Sequence, residues 1–183
     1  MKLYHTKIPL IAAEVIATLS KEGLLDLSAE YRPEAEQDLV AVMEEYLRRD
    51  RALRESVREY MHERSIPYGR YGRIRSKMAD SWGHPLSDDV ERFLARQFVE
   101  NFMMSRFIEE VYGTDEELYK LVIGVIRGFH VDESALRDEA RGKVKNLKEG
   151  TVEYEIALQQ ALREVKKRHG LLREREERGG GRR

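Results

Sequence analysis

Apolar residues recur every three or four positions along most of the chain, the spacing that places side chains on one face of an α-helix. The most apolar stretch is 93–129, which contains all five phenylalanines of the sequence and a largely aliphatic run from Leu121 to Ile126. Aromatic side chains contribute strongly to the burial that stabilises protein cores. The sequence therefore predicts that residues 93–129 form the centre of the core.

Capping residues divide the first half into helices. The first is expected to follow Thr6 and to end at Gly23, because glycine tolerates the left-handed conformation found after helices. Pro33 marks the start of a second helix, and Asp50 is predicted to be the N-cap of a third. A short fourth helix over 74–81 is expected to end near Gly83.

The second half gives the same kind of pattern. Ser87 is predicted to open the aromatic helix, and Gly113 to end it. The stretch Thr114–Glu117 has the spacing of a capping box for the next helix. Asp132 or Glu133 is expected to start another helix, and Gly150-Thr151 precedes the last apolar stripe. The sequence thus predicts an all-α protein of about eight helices.

A shift of 83 positions superposes residues 8–61 on 91–144 without gaps and aligns most of their apolar positions. This indicates two tandem duplicated four-helix units, each ending in a basic helix and a glycine. The first unit is predicted to span 1–86, with 62–86 as a basic connector and short helix, and the second 87–172. The alternative is one irregular bundle. The charged tail 173–183 has too few apolar residues to join a core and is expected to be disordered.

Charge and composition restrict the classes of function. The 33 basic and 34 acidic residues nearly cancel, so no global field draws the chain to a polyanion. There is no cysteine, which excludes disulfides, thiol nucleophiles and cysteine zinc sites. Neither a signal peptide nor a membrane span is visible, so a cytoplasmic protein without membrane contact is expected.

No catalytic, cofactor-binding or metal-binding residue can be assigned from the sequence. The five histidines are scattered, and none stands three or four positions from another, as ligands on a helix would. Adjacent glutamates point to different sides of a helix. Nucleophile elbows and phosphate-binding glycine loops are absent from the sequence. A non-enzymatic protein is therefore expected.

One segment has candidate binding residues. Bases alternate with tyrosines between positions 64 and 77, without an acid, in the set Arg64, Tyr68, Arg70, Tyr71, Arg73, Arg75 and Lys77. Such a segment can contact a phosphate backbone and stack on bases. The alternative is a connector whose tyrosines pack on the helices. Trp82 is interpreted as a residue wedged between the two units, or else as an exposed recognition aromatic.

Several segments resemble a known family. These are the opening Met1-Lys2-Leu3, the helix end at 21–27, the acidic helix before Arg48-Arg49-Asp50, and the closing stretch 163–172. Together they are similar to the bacterial family of helical proteins called domain of unknown function 507. The resemblance covers nearly everything up to Leu172. It implies an α-helical, cytoplasmic bacterial protein, and it supplies neither an activity nor site residues.

Exclusion of the other classes leaves a helical binding or scaffolding protein with an unknown protein partner as the first expectation. An RNA- or nucleic-acid-associated protein that uses residues 64–77 and the basic tail is the alternative. An enzyme whose site is assembled from distant residues is a third possibility. The sequence leaves the oligomeric state open.

Overall fold

The computed structural model describes residues 1–172, which fold into seven α-helices. The helices are α1 (Ile8–Lys21), α2 (Arg32–Glu63), α3 (Tyr71–Trp82), α4 (Asp89–Met104), α5 (Asp115–Gly128), α6 (Glu133–Val144) and α7 (Val152–Arg168). Short 3-10 turns lie at His5–Lys7 and Tyr68–Arg70, and a small antiparallel ribbon pairs β1 (Leu25–Asp26) with β2 (Glu110–Val111). The all-α class is confirmed. The predicted disorder of 173–183 falls outside the described residues.

The predicted boundary at Asp50 is wrong, because α2 runs through it as one helix of 32 residues, about 48 Å long. Asp50 stands on the buried stripe of α2, which continues in register on both sides of it. The other buried positions of α2 are Ala35, Leu39, Met43, Tyr46, Leu53, Val57 and Met61. Asp50 could be an N-cap only if one helix ended and another began there, and α2 shows no such interruption. By contrast, Asp132 does cap α6, accepting hydrogen bonds from the backbone N–H groups of Ser134 and Ala135.

The aromatic helix ends at Met104, nine residues before the predicted stop at Gly113. The chain turns at Ser105, whose hydroxyl donates to a carboxylate oxygen of Asp38 (2.9 Å) and accepts from the backbone N–H of Phe107 (3.3 Å). The chain then reaches β2, which pairs with β1, the strand that follows α1. The sequence did not predict this ribbon, since two-residue strands carry no recognisable alternation.

The described chain contains two compact units. The first comprises Met1–Leu3 and Ile8–Phe129, and its main core is formed by α1, α2, α4 and α5. In it α1 packs on both α2 and α5, and α4 packs on both α5 and α2. Buried residues at the centre include Ile11, Leu39, Leu94, Phe98 and Ile126. The predicted position of the core within 93–129 agrees with this packing.

The second half of α2 extends away from this core and packs on α3. A separate apolar cluster holds the two together, with Leu53, Val57, Met61 and Ala79 buried. We refer to residues 50–82 as the hairpin. Its last helix ends at Gly83, which adopts a left-handed conformation (φ 59°), as predicted for a glycine stop.

The second unit comprises Tyr4–Lys7 and the chain from His130 onward. Its core lies between α6 and α7, where Leu136, Ala140 and Val165 are buried. Tyr4 is part of this core, and its hydroxyl donates to Glu133, which also accepts from Lys166 Nζ (3.2 Å). A short N-terminal segment therefore completes a two-helix unit.

The division of the chain differs from the one that the sequence suggested. The border lies at Phe129–His130 and not at 86–87, because α4 and α5 share one core with α1 and α2. Residues 62–86 consequently do not connect two units; they lie inside the first, and residues 62–82 belong to the hairpin. Within residues 1–172, none of the helices combines the length and apolarity required to cross a membrane.

The packing of α4 gives a first prediction. Phe98 is fully buried in the main core, so we expect Phe98→Ala to reduce the free energy of unfolding by about 3–5 kcal/mol. Met104→Ala in the same helix is the control, since Met104 is exposed and its replacement should change stability by less than about 0.5 kcal/mol. Urea denaturation of both variants measures the difference. Equal losses would contradict the placement of Phe98.

Candidate functional site

A carboxylate buried in the middle of a helix is the most unusual polar feature of the first unit. Asp50 is 7% exposed although it lies on the apolar stripe of α2. Isolated buried charges are strongly disfavoured, so such a side chain requires charged or hydrogen-bonding partners. Three side chains supply them.

Both oxygens of Asp50 accept hydrogen bonds from arginines. Arg75 of α3 donates from Nη2 to Oδ1 at 2.7 Å, and Arg54, one turn further along α2, donates from Nη2 to Oδ2. The Arg54 pair has the favourable four-residue spacing on a helix, whereas the Arg75 pair joins two helices. The carboxylate therefore fixes α3 against the middle of α2.

His84, which follows the stop at Gly83, completes the cluster. Its Nε2 atom lies 3.5 Å from Oδ1 of Asp50, an ion-pair distance that is long for a hydrogen bond. Its ring stacks on Tyr46, with centroids 4.8 Å apart and an interplanar angle of 13°. The Tyr46 hydroxyl donates to the backbone oxygen of Pro85. We call Tyr46, Asp50, Arg54, Arg75 and His84 the Asp50 cluster.

The environment shifts three pKa values in this cluster. Burial alone would raise the pKa of Asp50, but the hydrogen bond from Arg75 and the charges of Arg54 and Arg75 outweigh it and lower the pKa below the usual range. Burial lowers the pKa of His84, against the opposing effect of Asp50. Burial, followed by the Asp50 charge, raises the pKa of Tyr46. Near neutral pH the cluster is thus an ionised aspartate between two arginines, beside a neutral histidine.

The hairpin contains every residue that the sequence singled out as a binding candidate, but the structure separates them into three groups. Arg75 is half-buried and forms an ion pair with Asp50 in the Asp50 cluster. Arg64 lies over the ring of Tyr60, 4.1 Å from the centroid, and is 3.4 Å from Glu63. The other candidates lie on the surface of the hairpin, where α2 turns into α3.

Three bases point away from the apolar side of α3. Arg70, Arg73 and Lys77 are exposed, and their spacing of three and four residues places them on one face. Among residues 1–172, none of the three has an acidic partner within ion-pair distance. Arg75 points to the opposite side because it stands two positions from both Arg73 and Lys77.

The aromatic candidates lie at the two ends of α3. Tyr68 is 80% exposed at the turn and stacks on Tyr71, with centroids 5.5 Å apart and an interplanar angle of 22°. Trp82 is the last residue of α3 and is 38% exposed; its backbone oxygen accepts from Arg49 Nη2 (3.1 Å). Residues on both sides of Trp82 belong to the first unit, so it does not separate two units.

Sequence reasoning missed Asp50 and His84 as parts of one cluster. The signal for Asp50 was present, because an uninterrupted stripe that contains a single aspartate predicts a buried charge in need of a partner. His84 gave no such signal, since its position depends on how the chain turns after Gly83. Its backbone N–H donates to the oxygen of Ala79 (2.9 Å), which closes this turn.

Two shallow cavities lie against His84 and Phe93. One, of about 290 Å³, is also bordered by Tyr46 and Arg49, and the other, of about 420 Å³, by Arg92 and Arg96. In the part of the chain that the structure describes, no group of three or more histidine or acidic side chains is arranged to hold a metal ion.

The comparison with family models gives one finding for this architecture. The model described as "Protein of unknown function (DUF507)" matches residues 1–171. The chain belongs to this family. The match includes both units and the whole hairpin, and it confirms the resemblance seen in the sequence, although it assigns no activity. The comparison with curated proteins gives no match.

The Asp50 cluster predicts a specific loss of stability in this DUF507 protein. We expect Asp50→Asn to reduce the free energy of unfolding by about 1–3 kcal/mol, because the half-buried Arg75 would lose its charged acceptor. Glu45→Gln on the same helix is the control; its pair with Arg48 is exposed and should contribute about 1 kcal/mol or less. Equal effects of the two substitutions in chemical denaturation would show that the cluster is not stabilising.

His84 predicts the direction of a pH effect. Its pKa is lowered on folding, so the unfolded chain takes up a proton first as the pH falls below about 6.5, and stability must fall with it. The Asp50 pKa is also lowered, so its contribution is lost only at more acidic pH, below about 4. We expect His84→Gln to flatten the pH dependence of unfolding free energy between about pH 5 and 6.5. An unchanged profile would disprove this assignment.

Proposed function

We propose that this protein is a non-enzymatic helical binding or scaffolding module, and that the hairpin is its binding element. The observation that carries this proposal is the combination of exposed aromatics and unpaired bases on a rigidly anchored pair of helices. Tyr60, Tyr68 and Trp82 are exposed on the hairpin, and so are Arg70 and Arg73. Tyrosine, tryptophan and arginine are the residues most enriched at binding hot spots.

The anchoring of the hairpin supports a role in recognition. The hairpin continues a helix of the main core, and the Asp50–Arg75 pair fixes its second helix to its first. A preorganised surface binds more tightly because less conformational freedom is lost on association. The Asp50–His84 pair also resembles a catalytic dyad in composition, but both carboxylate oxygens are occupied by arginines. This occupancy favours a structural role for the pair.

We further propose that the chain arose by tandem duplication. Three correspondences support this. Each of α1 and α4 is followed by one strand of the same ribbon, and α3 and α7 each end at a glycine with positive φ, Gly83 and Gly170. Positions 50 and 133, related by the shift of 83 residues, both carry an acid that pairs with a base of a later helix, Arg75 and Lys166 respectively. On this proposal, α6 and α7 are the counterpart of the hairpin.

Two classes of partner fit the hairpin. A protein partner is favoured by the exposed Tyr60 and Trp82, which can fill pockets on another surface. A nucleic acid is favoured by the row Arg70, Arg73 and Lys77 beside Tyr68, since these bases have no acidic partner among the described residues. The basic tail, the other part of the nucleic-acid hypothesis, lies outside those residues.

Site-specific photo-crosslinking in the native cells tests the binding role without presupposing the partner. A photoreactive phenylalanine analogue at Tyr68 should give crosslinked macromolecules, because this side chain extends into solvent at the end of the hairpin. The same analogue at Tyr112, which is exposed in the first unit but outside the hairpin, is the matched control. If position 68 yields no adduct in excess of position 112, the hairpin is not the binding element.

A further inference from the structure

We propose that the turn of the hairpin binds single-stranded nucleic acid, with Tyr68 stacking on a base and Arg70, Arg73 and Lys77 contacting phosphates. The inference rests on the proposed function and names the partner class. We refer to these four residues as the tip.

The charge of the hairpin region differs sharply from that of the whole chain. Residues 50–82 contain eight arginines and lysines against five acids, a net charge of +3, whereas the complete chain carries −1. A local excess of this size attracts a polyanion even when the total charge is near zero.

Several arginines in or beside the hairpin are held by other residues. Arg54 and Arg75 are held by Asp50, Arg48 by Glu45, and Arg64 lies over Tyr60. The bases of the tip have no acidic partner within residues 1–172. They also share one face, so they can neutralise neighbouring phosphates of one strand.

Tyr68 adds a second, independent feature. Its ring is 80% exposed and is supported on one side by Tyr71. An exposed ring held in a fixed orientation offers its free face to a base, and such stacking tolerates any base because each has a π-face. Stacking requires an unpaired base, which is why the proposal specifies single strands rather than a duplex.

The acidic residues of the hairpin do not cancel its positive charge. Of the five acids of the hairpin, Asp50 is already paired with Arg54 and Arg75, and the other four are outnumbered by the remaining bases. The nearest acids of the hairpin are interspersed with bases of their own, as Glu63 is with Arg64. The acids of the hairpin therefore leave its positive charge in excess.

Fluorescence anisotropy with the full chain and a labelled single-stranded RNA of mixed sequence tests the proposal, with the same DNA sequence as a second probe. The logarithm of affinity should fall linearly with the logarithm of salt concentration. Replacing Arg70, Arg73 and Lys77 together by Gln should reduce this slope by about two, at roughly 0.7 per phosphate contact. The control triple variant Lys120→Gln, Arg137→Gln, Arg141→Gln removes the same charge outside the hairpin and should leave the slope nearly unchanged.

The tyrosine is tested separately. Tyr68→Ala should weaken binding by about 5- to 150-fold, whereas Tyr68→Phe should retain it, because stacking depends on the ring and not on the hydroxyl. Circular dichroism and thermal unfolding confirm that the variants are folded. Absence of salt-sensitive binding by the wild-type protein, or equal slopes for the two triple variants, would overturn the proposal. If the crosslinker at position 68 nevertheless captures a protein, the binding role stands and the nucleic-acid partner is rejected.

Discussion

The hairpin depends on one carboxylate that cannot remain buried alone. Asp50 occupies a position on α2 where the stripe would otherwise require an apolar side chain, and it is stabilised there by Arg54 and Arg75. Buried ion pairs add little net stability compared with apolar packing. They do require a specific arrangement of the two side chains, because any other arrangement leaves a buried charge unpaired. In this protein we infer that the pair specifies how α3 lies on α2. The apolar cluster around Leu53 and Val57 contributes the buried apolar surface that stabilises the packing of these two helices.

The same interaction orients the surface that we propose for binding. Arg75 points inward to Asp50, so the residues two positions before and after it, Arg73 and Lys77, point outward on α3. Rotation of α3 about its axis would bring these bases toward α2 and would expose Arg75 instead. The buried pair and the exposed bases are therefore two consequences of one helical register. A contact in the interior therefore determines which cations are exposed on the hairpin.

The sequence predicted the helical class, the core and most helix ends, because these follow from local periodicity and capping chemistry. The capping box at Thr114–Glu117 and the glycine stops at Gly23 and Gly83 are formed as expected. The prediction that a helix begins at Asp50 was wrong, because an aspartate that could be an N-cap can equally form a buried ion pair. Only the position of Arg75, 25 residues away, decides between the two. The sequence identified the candidate residues of the hairpin. Which of these bases are paired and which are free depends on long-range contacts, and these cannot be inferred from composition.

The two acids related by the 83-residue shift show how such a contact changes the fold. Glu133 stands at the first turn of α6, where the chain has already broken after Gly128 and Asp132 supplies the cap. Asp50 stands inside a continuous helix, because Arg54 and Arg75 neutralise it there. We infer that these pairs allow α2 to continue through Asp50. That helix in turn joins the hairpin to the main core without a flexible link.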